Sequence, residues 1–240
     1  MSILLVSGTD TGIGKTLVAA TLAAGLTARG QHVGVAKPIE TGCDGDEATD
    51  AASLRAAAGS TASLAEISPY RFPEPLAPSI AAARVGATID IDGLVADLRQ
   101  RAAAYDVLVV EGAGGLLVPV TTEVSFADLA LALDATVLIV VGSRLGAINH
   151  ALLTFEVLAT RGICTCGYVV SQLTPAGDLA TDTNPELLAS LTTLPCLGIL
   201  PWRDDANTLL TTLRDGDGSE ARTHLATLAE EHLASLLTAA

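Results

Sequence analysis

Nine consecutive residues, Gly8-Thr9-Asp10-Thr11-Gly12-Ile13-Gly14-Lys15-Thr16, carry the densest chemical signal in the chain. An apolar run over 3–6 precedes them and an apolar-periodic segment over 17–26 follows, the pattern of strand, glycine-rich turn and helix. Such a turn aims backbone N–H groups and a helix N-terminus at one point, which suits a phosphate. Lys15 adds a mobile positive charge for outer phosphates, and the Thr16 hydroxyl can sit on Mg²⁺. The spacing departs from the usual P-loop: five residues, not four, separate Gly8 from Gly14.

Three further groups belong with that loop. Lys37 ends a strand expected over 32–37, which Pro38 stops because proline cannot continue a ladder. Ligands of parallel sheets collect at the carboxyl ends of strands, so Lys37 and the following Glu40-Thr41-Gly42 fall on the rim that carries the phosphate loop. Glu111 follows the apolar run 107–110 directly, where a Mg²⁺-directing carboxylate belongs. Gly112-Ala113-Gly114-Gly115 then lets backbone approach a ligand closely. Asp44, Asp46, Glu47 and Asp50 precede or open an Ala-rich helix over 48–58. They complement the helix dipole, or one of them reaches the cation, and their composition does not choose between them. Gly146-Ala147-Ile148-Asn149 opens a helix over 147–160 whose free N–H groups suit an anion such as a carboxylate. His150, in the same turn, is read as a packed or capping residue without a chemical role.

The elements that must position these groups alternate. Strands are expected over 3–6, 32–37, 107–110, 136–141, 163–170 and 196–200, and helices over 16–29, 48–58, 91–104, 126–133, 147–160 and 185–194. That alternation predicts an α/β P-loop NTPase-like fold, a mostly parallel sheet with helices on both faces, as a single domain over 1–240. Residues 68–78, with four prolines, read as a stiff extended surface segment, and 174–184 as a polar loop. Leucines near helical spacing make 220–237 a helix that docks on the domain.

Composition narrows the classes. Net charge is −14, so no basic stripe is available for nucleic acid. Half the residues are apolar but 3% are aromatic, leaving Ala, Leu and Val to fill the core. The most apolar stretch, 129–141, is interrupted by Asp134 and too short to span a membrane. No basic n-region precedes Ile3, and the four cysteines read as reduced thiols, so a cytoplasmic protein is expected. Cys164-Thr165-Cys166 is too tightly spaced for a usual zinc knuckle.

Four blocks together resemble the dethiobiotin synthetase family: Gly8–Thr16 with its five-residue spacing, Lys37-Pro38-Ile39-Glu40-Thr41-Gly42, Val110-Glu111-Gly112-Ala113-Gly114-Gly115, and Leu145-Gly146-Ala147-Ile148-Asn149-His150. The resemblance implies ATP-dependent carboxylation and ring closure of 7,8-diaminononanoate with CO₂ or bicarbonate, through a carbamate and a carbamic-phosphoric anhydride. It makes Lys37 the catalytic lysine beside Lys15, sets Thr11 and Thr41 against the substrate, and assigns Mg²⁺ to Thr16, Asp50 and Glu111. Gly12, Ile13, Gly14, Lys15, Thr16 and Leu17 would cradle the ATP phosphates, with Asp50, Glu111, Gly112, Ala113 and Gly114 nearby. Ser171, Gln172, Pro201, Trp202 and Arg203 would flank the base. It further implies a homodimer in which Gly146, Ala147, Ile148 and Asn149 of a second subunit bind the substrate carboxylate. One departure stands out: the family usually has Asn where this chain has Ser171, and a serine makes one contact where Asn makes a bidentate pair, so a relaxed nucleotide preference is expected. The alternative reading is a partition-type P-loop ATPase switch. Those proteins carry an extra lysine early in the loop, where this chain has Thr9 and Asp10.

Overall fold

Fully apolar runs such as Val107–Val110 need cover on both faces, and a parallel sheet between two helical layers supplies it. A computed structural model describes residues 2–43, 49–175, 178–215 and 219–239. The elements run β1 (Ser2–Gly8), α1 (Lys15–Ala28), β2 (Val33–Ala36), β3 (Ile39–Thr41), α2 (Thr49–Ala58), α3 (Leu64–Ile67), β4 (Tyr70–Phe72), α4 (Pro78–Arg84), α5 (Ile91–Ala102) and β5 (Val107–Gly115). They continue with α6 (Phe126–Leu133), β6 (Thr136–Ser143), α7 (Ala147–Arg161), β7 (Thr165–Gln172), α8 (Leu179–Leu191), β8 (Cys196–Leu200), α9 (Ala206–Asp215), α10 (Ser219–His232) and α11 (Ala234–Ala239). Six strands form one sheet in the order β2-β5-β1-β6-β7-β8, every pair parallel.

The period of two along β1 divides the core. Leu4 and Val6 face a layer built from α1, α2, α9 and the C-terminal helices, while Ile3 and Leu5 face α4 to α8. Helix α1 is buried almost all round, because the sheet covers one side and α10 the other. Gly25 permits that contact: a Cβ there would lie 2.5 Å from the Ala229 Cβ. Leu225, Leu228, Leu233 and Leu236 of the tail are buried, each contributing about 1.5–3 kcal/mol by removal from water. The expected docking helix is two helices, broken at Leu233.

Several elements depart from the sequence expectation, the short α3 and α4 among them. Helix α8 begins at Leu179, inside the segment read as a loop, and carries Pro185 in its interior. Proline frees the carbonyl four residues earlier, that of Thr181, and the Ser143 hydroxyl donates to it at 3.2 Å. Within the proline-rich segment, β4 pairs in parallel with β3, Glu40 standing opposite Arg71. The segment is therefore tied to the strand-end loop after Lys37. Helix α9, absent from the expectation, buries Leu209 and Leu213 at i,i+4 spacing.

Candidate active site

The loop after β1 turns through Gly12 and Gly14, both left-handed, and hands the chain to α1 at Lys15. Gly14 has no substitute: its φ is 86°, and a Cβ there would meet the Ser171 Oγ at 2.8 Å. The side chains of Ile13 and Leu17 turn into the core, leaving only their backbone to face a ligand. Lys15 rests its Nζ on the Asp10 carbonyl at 2.7 Å, and the Asp10 carboxylate is ion-paired with Arg144. Burial, the largest influence on Lys15, lowers its pKa from 10.5 to about 8, against the pull of Glu111.

Parallel register delivers the second centre. Ala36 of β2 stands opposite Val110 of β5, so the next residues, Lys37 and Glu111, emerge side by side at the carboxyl edge. The Lys37 Nζ lies 2.6 Å from Glu111 Oε1 and 2.8 Å from Asp50 Oδ2, and donates to the Gly112 carbonyl at 3.3 Å. Thr16 Oγ1 donates to the same Glu111 oxygen at 2.9 Å. Burial works against the charge on Lys37, but Glu111 and Asp50 outweigh it and hold its pKa above the ordinary lysine value. For Asp50, burial is opposed by Lys37 and by the Thr16 hydroxyl, which together keep the carboxyl below its usual range. Burial and the Asp50 charge push Glu111 up, Lys37 pulling the other way.

These groups surround one cavity of about 440 Å³. Thr11, Gly12, Gly14, Lys15 and Thr16 form one wall; Lys37, Glu40, Thr41, Asp50, Glu111, Ala113 and Gly114 form the next. Residues 75–78, the end of the proline-rich segment, close the third side, so that segment is part of the site as well as of the surface. Thr11 also borders a neighbouring, largely apolar groove of about 610 Å³, lined by 115–119 and by His150, Leu153, Thr154 and Val157 of α7.

The oxygen-only set of Thr16, Asp50 and Glu111 fits Mg²⁺, a cation usually held by one or two carboxylates plus substrate phosphates. One observation supports the fit directly: Glu111 Oε2 is buried and has no hydrogen-bond partner. Among the described residues no group of three or more His, Cys, Asp or Glu side chains gathers to hold a metal, so the phosphates must complete such a site. Asp44, Asp46 and Glu47, the other acids considered for it, lie outside the described residues.

The remaining expected residues are placed elsewhere. Gly146, Ala147, Ile148 and Asn149 form the turn that starts α7, with Gly146 and Asn149 exposed, Ile148 half-buried and Ala147 buried, and they line neither cavity of their own chain. Ser171 is 4% exposed and set against Gly14, so its hydroxyl does not project outward as a base reader would. Gln172 follows it, and Pro201, Trp202 and Arg203 leave the neighbouring strand β8, where Ser171 is opposite Leu200. Trp202 is 40% exposed; Arg203 is held by two bonds to the Asp205 carboxylate at 2.7 and 2.6 Å. Two features escaped the sequence reading: the Asp10–Arg144 pair, whose members are 134 residues apart, and the wall formed by 75–78.

A parallel α/β sheet with a glycine-rich loop, a buried Lys–Glu pair and a hydroxyl at the loop's end defines a P-loop nucleotide-binding protein. Solved structures of that class share the fold. The MinC:MinD cell division complex of Aquifex aeolicus matches with a TM-score of 0.58 at 15% identity, covering 96% of this chain and 95% of that one. A ParA family ATPase from Chlorobium tepidum TLS matches with a TM-score of 0.56 at 13% identity, covering 94% and 98%. A family model described as an AAA domain matches residues 2–208. Sequence relatives are more specific. The ATP-dependent dethiobiotin synthetase BioD of Xanthomonas oryzae pv. oryzae (strain PXO99A) is 40% identical over 205 residues, covering 84% of this chain and 91% of the relative. Its counterpart from Anaeromyxobacter dehalogenans (strain 2CP-C) is 42% identical over 202 residues with the same coverage. The chain belongs to the ATP-dependent dethiobiotin synthetase family, and it is a ligase.

Proposed function

We propose that the chain closes the ureido ring of dethiobiotin, in biotin biosynthesis, from 7,8-diaminononanoate, CO₂ and ATP. One amine adds to CO₂ and loses a proton, giving a carbamate. A carbamate oxygen attacks the γ-phosphorus, the bond from that phosphorus to the β-phosphate oxygen breaks, and ADP leaves. The second amine then attacks the carbamoyl carbon, and the carbon–oxygen bond breaks to expel phosphate.

The observation that carries this reading is the pairing of two lysines across one cavity, Lys15 from the loop and Lys37 from the adjacent strand edge, both buried. Bringing a carbamate to a triphosphate sets two anions together, and preorganised cations offset that repulsion. A partition-type switch would place its second lysine early in the loop, where this chain has Thr9 and Asp10, and would leave Lys37 and Thr41 without a task. In our reading Lys37 steadies the carbamate and the transferring phosphoryl group, while the Thr41 and Thr11 hydroxyls orient the carbamate. The backbone of Gly12 to Leu17 holds the phosphates. Thr16, Asp50 and Glu111 would hold Mg²⁺, which when bound offsets phosphate charge. Gly112, Ala113 and Gly114 pass beside the nucleotide, and Gln172 with Pro201–Arg203 flank the base.

The reading extends to a homodimer whose α7 turn, Gly146 to Asn149, takes the substrate carboxylate of the other subunit's site. Its support is the apolar surface on either side of that turn: Leu145, just before it, is 90% exposed, and Leu153, further along α7 and lining the apolar groove, is 60% exposed. A cytoplasmic setting agrees with the four unpaired thiols, Cys43, Cys164, Cys166 and Cys196. No helix among the described residues is long and apolar enough to cross a membrane.

The order of steps has a direct test. Bicarbonate labelled with heavy oxygen should leave one labelled oxygen in inorganic phosphate for each ring closed, because the carbamate oxygen attacks phosphorus. Unlabelled phosphate, with ring formation proceeding, would contradict the anhydride.

A further inference from the structure

Helix α2 brings Asp50 to Lys37, yet the start of that helix is held from outside. Glu40, on β3, is 4% exposed and lines the cavity wall. Its Oε1 accepts from the Asp50 N–H at 2.8 Å and from the Thr49 hydroxyl at 3.4 Å; its Oε2 accepts from the Ala51 N–H at 3.1 Å. Those amides are first-turn donors that have no partner within a helix. A carboxylate seated on them also meets the positive end of the helix dipole. Burial and the nearby Asp50 charge raise the carboxyl pKa of Glu40, the two amide bonds opposing them.

We propose that Glu40 is the positioning residue for Asp50. By fixing the backbone of α2's first turn, it sets the 2.8 Å contact between Asp50 and Lys37 and so the orientation of the catalytic ammonium. Glu40 itself touches no reacting atom, since both carboxylate oxygens are committed to the helix. The arrangement links Lys37, just past the end of β2, and Glu40, on β3, through a helix that starts later in the chain. A displaced Asp50 leaves Lys37 to Glu111 alone, and a shift of an ångström at such a group costs rate more than binding.

The turnover arm of the test rests on the ring-closing reading above; the exchange arm does not. In the full-length enzyme, Glu40→Ala should lower kcat for dethiobiotin formation about tenfold while nucleotide affinity changes little. Glu40→Gln, which keeps one acceptor, should recover part of the loss. In an Asp50→Ala background, Glu40→Ala should cost nothing further, because the residue acts only through Asp50. Amide hydrogen exchange at Asp50 and Ala51 should speed up in Glu40→Ala, with α5 unchanged. Full additivity in the double mutant, or unchanged exchange at those two amides, would overturn the assignment. If the unmodified chain formed no dethiobiotin while exchange still responded, the ring-closing reading would fail and the positioning of α2 would stand.

Discussion

Lys37 and Glu111 each follow the last paired residue of the β2–β5 ladder, and they meet in a 2.6 Å ion pair with both residues out of solvent. Neither charge is tolerable there alone, so the pair and its neighbours Asp50 and Thr16 act as one unit.

Lys37→Ala should therefore show two separable effects. Turnover should fall by about 10²–10³, the scale of removing a preorganised charge from a transition state, with nucleotide affinity nearly unchanged. Stability should fall by about 3–5 kcal/mol, because the buried Glu111 carboxylate loses its nearest counter-charge. Steady-state kinetics with nucleotide binding by calorimetry checks the first, and urea unfolding the second. Unchanged turnover in the folded variant rejects the catalytic assignment.

Lys15 gives a pH dependence. Burial lowers its folded-state pKa to about 8, so its charge is present below that pH and lost above it. ADP affinity should hold below about pH 8 and weaken above it, approaching tenfold per pH unit. The sign for stability is opposite: the buried charge costs the fold below about pH 8, and the cost is relieved as pH climbs toward 10.5. ADP titrations from neutral pH into the alkaline range measure the first effect, and affinity flat into that range would contradict it.

Base selectivity should be weak. Ser171 is set against Gly14, so the position that carries Asn in the family offers no bidentate edge for adenine. We expect kcat/KM for ATP, CTP and GTP to agree within about tenfold, triphosphate contacts dominating. A strong preference for ATP alone would show that Gln172 or the 201–203 segment reads the base.

The α7 turn should serve substrate and not nucleotide. Asn149→Ala is expected to raise the diaminononanoate KM by about tenfold, the cost of one hydrogen bond to a charged group, and to leave the ATP KM in place. A rise confined to ATP would remove the carboxylate assignment.

The sequence disclosed the site where chemistry and local structure coincide. Glycines at Gly12 and Gly14 are needed for backbone shape, and Lys37 and Glu111 each follow a buried apolar run, so each was visible from its neighbours in the chain, although β5 itself continues past Glu111 to Gly115. What stayed hidden depends on tertiary partners. Helix α8 runs through Pro185 because Ser143, far earlier in the sequence, satisfies the freed Thr181 carbonyl. The β3–β4 pair joins two three-residue strands, too short for any periodicity to register. Glu40 looked like a loop acid until α2 was folded onto it. Ser171 was legible as a departure from the family, but not as a residue packed against the phosphate loop.

On the proposed reading, one cavity joins CO₂ to a diamine at the expense of ATP. Incubating the full chain with 7,8-diaminononanoate, bicarbonate and MgATP, and reading the product by mass, tests it most directly. Dethiobiotin should form, with one ADP and one phosphate per ring, and no product should appear when bicarbonate is withheld. ATP hydrolysis that proceeds without ring formation, at a rate indifferent to the diamine, would contradict it.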